Sequence, residues 1–414
     1  MAYQKVTTTS YGQRVKKSAG GVGTGFLLFI AATILLFWNE GRTAKTASML
    51  KRAEKACVEL GDVNKVNSDL NGQLVHATGP TATDDILTDE VFGISLNAIR
   101  LSRDVEYYQW TERTETETKD KIGGGQETTT TYYYEKKWVS SPVNSSSFEY
   151  SVSESGEPMN NSTLFDFDDD YYLAENVSFG AYTLPSGLIS QMGGSQSLKP
   201  ELDPQVVANL NAQARKSRNG AKDAEYVQVN GSQIYLGANP GSPEIGDMKV
   251  TFSYILPHEV SILAKVNGST FEKHTDAKNG KTLLTLSDGA VSMEEMFATE
   301  KANNKMLAWI LRILGLILLY VGLKGIFDIV TTLLKVLPFL ANIASLGTGL
   351  VAGVLALVWG FLIIAIAWLW YRPLIGIIML ALAVALIVFL AKKSKEKAAQ
   401  KAAEAPAPAP APEQ

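Results

Sequence analysis

Hydropathy is partitioned so sharply along this chain that it decides the class of fold before any motif is read. An uncharged apolar segment runs from Gly20 to Trp38, a polar stretch follows to Asn304, and a largely apolar region then extends to Ala391. A helix over residues 20–38, rising about 1.5 Å per residue, is long enough to cross a hydrocarbon core of roughly 30 Å. The later region divides into three more such windows, 306–323, 344–370 and 374–391, with only Tyr371, Arg372 and Pro373 between the last two. The chain is therefore expected to cross a membrane four times, with its polar stretch inserted after the first crossing.

The overall charge conceals this layout. A net charge of −4 sums an apolar bundle, a mildly acidic domain and basic flanks, and it shows none of the basic stripes of a nucleic-acid partner. No nucleic acid is expected as a partner. Cys57, the single cysteine, cannot close an intramolecular disulfide. No small-residue cleavage site follows the first window, where Trp38, Asn39, Glu40, Gly41 and Arg42 stand, so a retained anchor is expected rather than a removed signal peptide, with Met1 to Gln414 as the mature chain.

Basic residues set the orientation. Lys5, Arg14, Lys16 and Lys17 precede the first span, Lys324 and Lys335 lie between the second and third, and Lys392, Lys393, Lys395 and Lys397 follow the fourth. The short opposite turn offers only Arg372, so the positive-inside bias puts both termini in the cytosol and the polar domain outside it. Arg42, Lys45, Lys51 and Arg52 run against this, but long translocated domains tolerate such charges.

The expected order is a cytosolic N-terminus (1–19), span one (20–38), an extracytosolic domain (39–304) and span two (306–323). A cytosolic-side amphipathic segment (324–343), spans three (344–370) and four (374–391), and a disordered Lys/Ala/Pro-rich tail (392–414) complete it. The amphipathic segment carries Ile326, Phe327, Ile329, Val330, Leu333, Leu334 and Leu337 at helical spacing against Lys324, Asp328, Thr331, Thr332 and Lys335. That pattern suits a short helix lying in the membrane interface and ended by Pro338, the alternative being an extension of the second span. The domain would be periplasmic in a bacterial inner membrane and lumenal in a eukaryotic endoplasmic reticulum or inner nuclear membrane. Sequons at Asn144, Asn160, Asn161, Asn176, Asn230 and Asn267 would be used only in the second case.

The domain itself reads as β-rich α+β. A helix continues from Gly41 to Glu59, strands begin at Gln73, and Arg100–Trp110, Met248–Ile255, Val260–Val266 and Thr282–Leu286 are rich in β-branched and aromatic residues. Tyr107–Thr118 is expected to pair with Thr128–Trp138 across Gly123, Gly124 and Gly125, which supply the positive-φ conformations of a hairpin tip. Asp203–Lys216 and Ser292–Lys301 read as helices.

Chemistry-bearing motifs are sparse. His76, His258 and His274 lack metal-ligand spacing, and no cofactor, metal or catalytic set is expected. Asp166, Asp168, Asp169 and Asp170 form an acidic run without the ligand pattern of a calcium loop and read as a solvated loop. Gly21 and Gly25 in the first span, and Ser345, Gly349 and Gly353 in the third, form small-residue faces that permit close helix packing. Topology gathers Glu40, Arg42, Arg312 and Arg372 at the extracytosolic membrane face, where a charge must snorkel or pair. Glu40 is expected to pair with Arg312 or Arg372, with Trp309, Trp368, Trp370 and Tyr371 as interfacial anchors.

These residues also carry a family resemblance. Asn39, Glu40, Gly41, Arg42, Lys45 and Thr46 form one block; Leu101, Arg103, Val105, Glu106, Tyr108, Gln109, Trp110 and Glu112 form a second, with Tyr132, Tyr134 and Trp138 on the returning strand. Pro243, Glu244, Gly246, Asp247, Val250, Phe252, Ser253 and Tyr254 form a third, followed by Gly280, Thr282, Leu283, Leu284, Glu294, Glu295 and Phe297. Met306, Trp309, Arg312 and Gly315 open the second span, and Trp368, Leu369, Tyr371, Arg372, Pro373 and Leu374 make the final turn. In order and spacing the chain resembles the LUMA, or transmembrane protein 43, family from the first span to the fourth. That resemblance implies four spans and a lumenal domain. It also implies, for eukaryotic members, residence in the endoplasmic reticulum and inner nuclear membrane, self-association, and organisation of the nuclear envelope through lamins and emerin. The simple basic N-terminus and the Ala/Pro-rich tail depart from the family and read as bacterial.

The function expected is that of a non-enzymatic membrane scaffold, self-associating into a homo-oligomer and contacting membrane lipids and other envelope proteins. A channel or transporter subunit is the first alternative, against which the span interiors offer almost no charge beyond Arg312. An enzyme acting on envelope lipid or glycan through Glu106, Glu112 or Asp247 is the second.

Overall fold

A computed structural model describes residues 2–218, 223–334, 338–374, 376–378 and 381, with side chains described for these residues except 338–346. The helices are α1 (Tyr11–Ala56), α2 (Ser186–Ile189), α3 (Pro204–Arg218), α4 (Met293–Leu333) and α5 (Pro338–Tyr371). The first strands are β1 (Ala2–Thr9), β2 (Val58–Glu59), β3 (Leu74–Thr83), β4 (Ile86–Asp89), β5 (Ile94–Asn97), β6 (Arg100–Asp120) and β7 (Gln126–Val139). They are followed by β8 (Asp170–Leu173), β9 (Val177–Phe179), β10 (Tyr182–Thr183), β11 (Gln196–Ser197), β12 (Val227–Asn230) and β13 (Gln233–Leu236). The last are β14 (Met248–Ile255), β15 (Glu259–Asn267), β16 (Thr270–Glu272), β17 (His274–Thr275), β18 (Thr282–Leu283) and β19 (Thr285–Asp288).

Two compact units emerge. One comprises Met1–Arg14, Ala47–Asn303 and Lys335–Pro338; the other comprises Val15–Thr46, Asn304–Leu334 and Phe339–Gln414. The first is the β-rich domain expected from the sequence. Its larger sheet runs β1-β7-β6-β14-β13-β12, with β8 on β6 and β11 on β14. Its smaller sheet closes on itself, because β3 pairs with both β9 and β15, which are joined through β10 and β16. The predicted hairpin forms, with Tyr108 opposite Trp138 and Thr118 opposite Thr128. Gly123 and Gly124 sit at its tip at φ of 90° and 82°. Between the sheets, Phe92 meets Phe252 and Phe167 edge-on at 5.5 and 5.3 Å, part of one continuous core. Burying each such side chain contributes about 1.5–3 kcal/mol.

The second unit is helical. Among the described residues three helices are long and apolar enough to cross a membrane, in Tyr11–Ala56, Met293–Leu333 and Gly347–Tyr371. α1 starts on a capping box in which Ser10 and Gln13 exchange side-chain and backbone bonds, and it meets no proline before it ends at Cys57. Ala32, Leu36, Leu319, Ala356 and Ile364 form the buried centre of this unit.

Three boundaries differ from those read in the sequence. Of the segment 324–343, residues 324–333 continue α4, the alternative that the sequence left open, and residues 338–343 open α5. α4 runs unbroken to Leu333, and α5 begins at Pro338, because nothing between Gly322 and Leu333 interrupts the backbone ladder and proline is favoured at a helix's first turn. Ser292–Lys301 is likewise the opening of α4 rather than a helix of its own. Within 1–19, residues 2–9 are strand β1, paired antiparallel with β7 from Ala2↔Tyr133 to Thr9↔Gln126. Tyr3 anchors it by stacking on Tyr150 at 4.5 Å, and Arg14 holds the hairpin tip through Asp120 at 2.7 Å and the Gly124 carbonyl at 3.0 Å. The fourth span expected at 374–391 lies almost entirely outside the described residues, as does the tail 392–414.

Candidate functional site

Residues 36–43 of α1 combine an apolar helix with polar side chains at helical spacing. Leu36, Asn39, Glu40 and Thr43 all lie on the buried face, Glu40 at 1% exposure. The buried carboxylate is fully engaged. Glu40 Oε1 accepts from Arg312 Nε at 2.6 Å, and its Oε2 accepts from Arg312 Nη2 at 2.9 Å and from Trp368 Nε1 at 2.8 Å. One acidic side chain thus ties α1 to α4 and α5. The Arg312 guanidinium also lies over the rings of Trp309, at 5.0 Å, and Trp368, at 6.0 Å, which spreads its charge over two aromatic faces.

Flanking polar residues continue the pairing of α1 with α4. Asn39 Nδ2 donates to the Ala308 carbonyl at 3.0 Å, Asn304 Nδ2 to the Thr43 carbonyl at 3.1 Å, and Arg42 Nη1 to Asn304 Oδ1 at 3.1 Å. Residues 304, 308 and 312 are successive i+4 positions, so they present one stripe to residues 39, 40 and 43. On the α5 side, Phe37 lies 5.5 Å from the Tyr371 ring, and a Cβ on Gly41 would come within 2.6 Å of that ring. A glycine at 41 is what admits Tyr371.

Further along, α1 and α4 approach backbone to backbone. A Cβ on Gly25 would stand 2.6 Å from the Gly322 carbonyl oxygen, and one on Gly322 would stand 2.8 Å from the Gly25 oxygen. Such contacts leave no side chain to move aside.

The structure therefore brings together Glu40, Arg42, Trp309, Arg312 and Tyr371, and it chooses Arg312 over Arg372 as the partner of Glu40. Arg372 donates its backbone N–H to Trp368. Of the small residues, Gly25 is in tight contact, Gly21 has open space at its Cβ position, and a Cβ on Gly349 or Gly353 would stand 3.8 or 3.9 Å from the Tyr320 side chain. The side chain of Ser345 is outside those described. Sequence reasoning missed Asn39, Thr43, Asn304, Gly322 and Gly325. The i+4 spacing of Asn304 and Arg312 with Ala308 between was the available signal for the first set.

Carboxylates in the β-rich unit are engaged one by one. Asp247 accepts from Tyr235 Oη at 2.6 Å, Arg218 Nη2 at 2.7 Å and the Glu244 N–H at 2.8 Å, and burial with this carboxylate holds the Tyr235 hydroxyl well above its usual pKa. Glu112 accepts from Tyr134 Oη and the Glu149 N–H. Glu106 is exposed, in register with Lys249. The acidic run is exposed and Asp166 to Asp169 lie in a loop, as expected, with Asp168 accepting from Tyr107 Oη and Asp169 from the Val105 N–H. Beside Asp166 lies an open groove of about 770 Å³ floored by Leu164, Phe165 and Leu210. Among the described residues no group of three or more His, Cys, Asp or Glu side chains is placed to hold a metal ion.

The comparisons with known proteins agree on one family. The family model described as "Transmembrane protein 43" matches residues 107–373. The chain is 30% identical to human transmembrane protein 43 over 394 residues, covering 92% of each. It is 30% identical to the mouse protein over 374 residues, covering 87% of each, and 26% identical to the Drosophila melanogaster homolog, covering 85% of this chain and 89% of that one. No solved structure matches.

Proposed function

The chain belongs to the transmembrane protein 43 family, and on that premise we propose that it is a multi-pass membrane scaffold. It presents a large folded domain on a helical anchor and acts by associating with further copies and with other membrane proteins. The observation that carries this reading is the state of Glu40. Charges within membrane segments that serve ion or substrate passage face a water-filled path. Glu40 instead is buried, with both oxygens held by Arg312 and Trp368, so its role is to join helices. The carboxylates Glu112 and Asp247 are similarly consumed as acceptors for neighbouring tyrosines and backbone, which disfavours acid–base work.

Crosslinking in the native membrane followed by mass spectrometry tests the scaffold. Recovery of intermolecular peptides of this chain and of other integral membrane proteins supports it. Ion flux from the purified protein in sealed vesicles would overturn it.

The charge bias supports a domain facing away from the cytosol. The β1–β7 pairing ties residues 2–9 to the β-rich sheet, whereas a single crossing by α1 would set the two ends of that helix on opposite sides of the bilayer, so the side of the N-terminus is tested directly. Translation into microsomes tests both ends. Asn230 sits exposed at the β12–β13 turn, so a glycan there reports a lumenal domain. An added sequon ahead of β1 reports the N-terminus.

A further inference from the structure

Past Asp288, the last ladder residue of β19, the linker from Gly289 to Ser292 is held mainly by side chains. Its Gly289 N–H donates to the Glu259 carbonyl at 2.7 Å, while Ser261 Oγ donates to the Gly289 carbonyl at 2.8 Å and accepts from the Val291 N–H at 2.9 Å. A histidine closes each end. His258 Nε2 is 2.8 Å from Asp288 Oδ1, and His76 Nε2 is 2.9 Å from the Val291 carbonyl. Beyond Val291, Ser292 and Glu295 form the capping box of α4, which continues without a break into its apolar window.

The second nitrogen of each ring also faces an acceptor. His258 Nδ1 is 2.9 Å from the Leu256 carbonyl, and His76 Nδ1 is 2.7 Å from Glu59 Oε2. Carbonyls and ionised carboxylates cannot donate, and a neutral imidazole has one N–H. Only the imidazolium fills both bonds, and the neutral ring turns a lone pair toward an oxygen.

We propose that His258 is a proton latch on the linker that starts α4, closed when its ring is protonated and loosened as it loses its proton, with His76 holding the far end of the same linker.

The groups facing the rings fit this assignment. β2 supplies Glu59 and β19 supplies Asp288; α4 supplies Glu295, which is tied to Ser292. β3 supplies the uncharged Thr81, bonded to the His258 backbone, and the 193–194 turn brings Gly194 alongside the His258 ring. Cys57, two residues before Glu59, has its thiol pushed up to about 12 by burial and by that carboxylate, so it brings no charge. At His258 burial favours the neutral ring, but the Leu256 carbonyl and Asp288 outweigh it, and the net shift is upward from 6.5. A histidine raised in this way contributes stability that is complete below its unfolded value and is lost as pH rises through the folded value. The latch at His258 therefore opens above the ordinary imidazole range.

Hydrogen exchange of the full chain in detergent, read by mass spectrometry at about pH 5.5 and about pH 8 and corrected for intrinsic rates, tests it. Protection of residues 288–297 is expected to fall at the higher pH, while the β6–β14 ladder keeps its protection. In His76→Gln/His258→Gln that difference should vanish, and its persistence there, or its absence in the unaltered chain, overturns the proposal. Should the double variant fail to fold, ¹⁵N-histidine NMR of the unaltered chain decides, since it contains 3 histidines. A ring at position 258 protonated on both nitrogens at the lower pH supports the latch, and a neutral ring there refutes it.

Discussion

Glu40→Gln keeps the shape of the side chain and removes its charge. In the native arrangement one carboxylate meets three donors, two from Arg312 and one from Trp368. The Gln side chain offers one oxygen, and its NH₂ group would point at a donor. Arg312, whose side chain is only 14% exposed, keeps its charge without a counter-ion. Removing one partner of a buried pair in this way costs about 3–5 kcal/mol. Replacing both partners by apolar residues of similar size costs much less, so Glu40→Met/Arg312→Met should lie near Glu40→Gln alone or above it in stability. A residual loss of about 1–3 kcal/mol remains because the Trp368 N–H stays unpaired. Reversible unfolding in mixed detergent, followed by tryptophan fluorescence, gives the cycle Glu40→Met, Arg312→Met and the double variant. A coupling energy above about 1 kcal/mol is expected. Additive single losses, or a Glu40→Gln protein as stable as its parent, would refute the view that this pair joins the helices.

The glycine contacts predict an asymmetry: Gly25→Ala sets a methyl against the Gly322 backbone and should destabilise by about 1–3 kcal/mol, whereas Gly21→Ala, with open space, should be neutral or gain up to about 1 kcal/mol in helix propensity. Thermal scanning of the two variants in one detergent separates them. Asp276 is held below its ordinary carboxylate value chiefly by its hydrogen bonds with Arg52, so its contribution to stability is present above about pH 4 and disappears as pH falls through the lowered value. Acid titrations of the parent and Asp276→Asn should therefore converge at low pH and diverge toward neutrality. Glycan acceptance should be seen at Asn230 and not at Asn161, whose side chain donates to the carbonyls of Trp110 and Val143, and peptide mapping after microsomal translation checks this.

Legibility differed by the kind of physics involved. The hairpin around Gly123–Gly125 was readable because strand propensity and turn chemistry are local, and the register follows once the tip is fixed. The Glu40 pairing was readable for another reason: topology restricts where a charge in an apolar segment can go, leaving two candidate arginines. Strand β1 was not readable. Its partner is more than a hundred residues away, and A-Y-Q-K-V-T-T-T carries no alternation that separates an edge strand from a solvated flank. The end of α4 stayed between two readings because Ile326 to Leu334 is amphipathic in either arrangement. What extends the span is the fit of Gly322 and Gly325 against α1, a contact between segments about three hundred residues apart.

The two kinds of helix contact do different work. Glycine faces let α1 and α4 approach closely, but dispersion between smooth surfaces changes little when one helix slides or rotates. Buried polar pairs have no such freedom, since a shift by one residue would leave Glu40, Asn39 and Arg312 without partners at a cost of several kcal/mol. Register is thus set at the end of the apolar windows where α1 continues to Ala56 and from which α4 begins at Met293. Closeness is set at the other, around Gly25 and Gly322. The helical unit needs both, because helices held close but free to slide would have no fixed register. Substitutions at Glu40 should therefore alter which residues of α1 and α4 crosslink, whereas substitutions at Gly25 should alter how tightly the same residues pack.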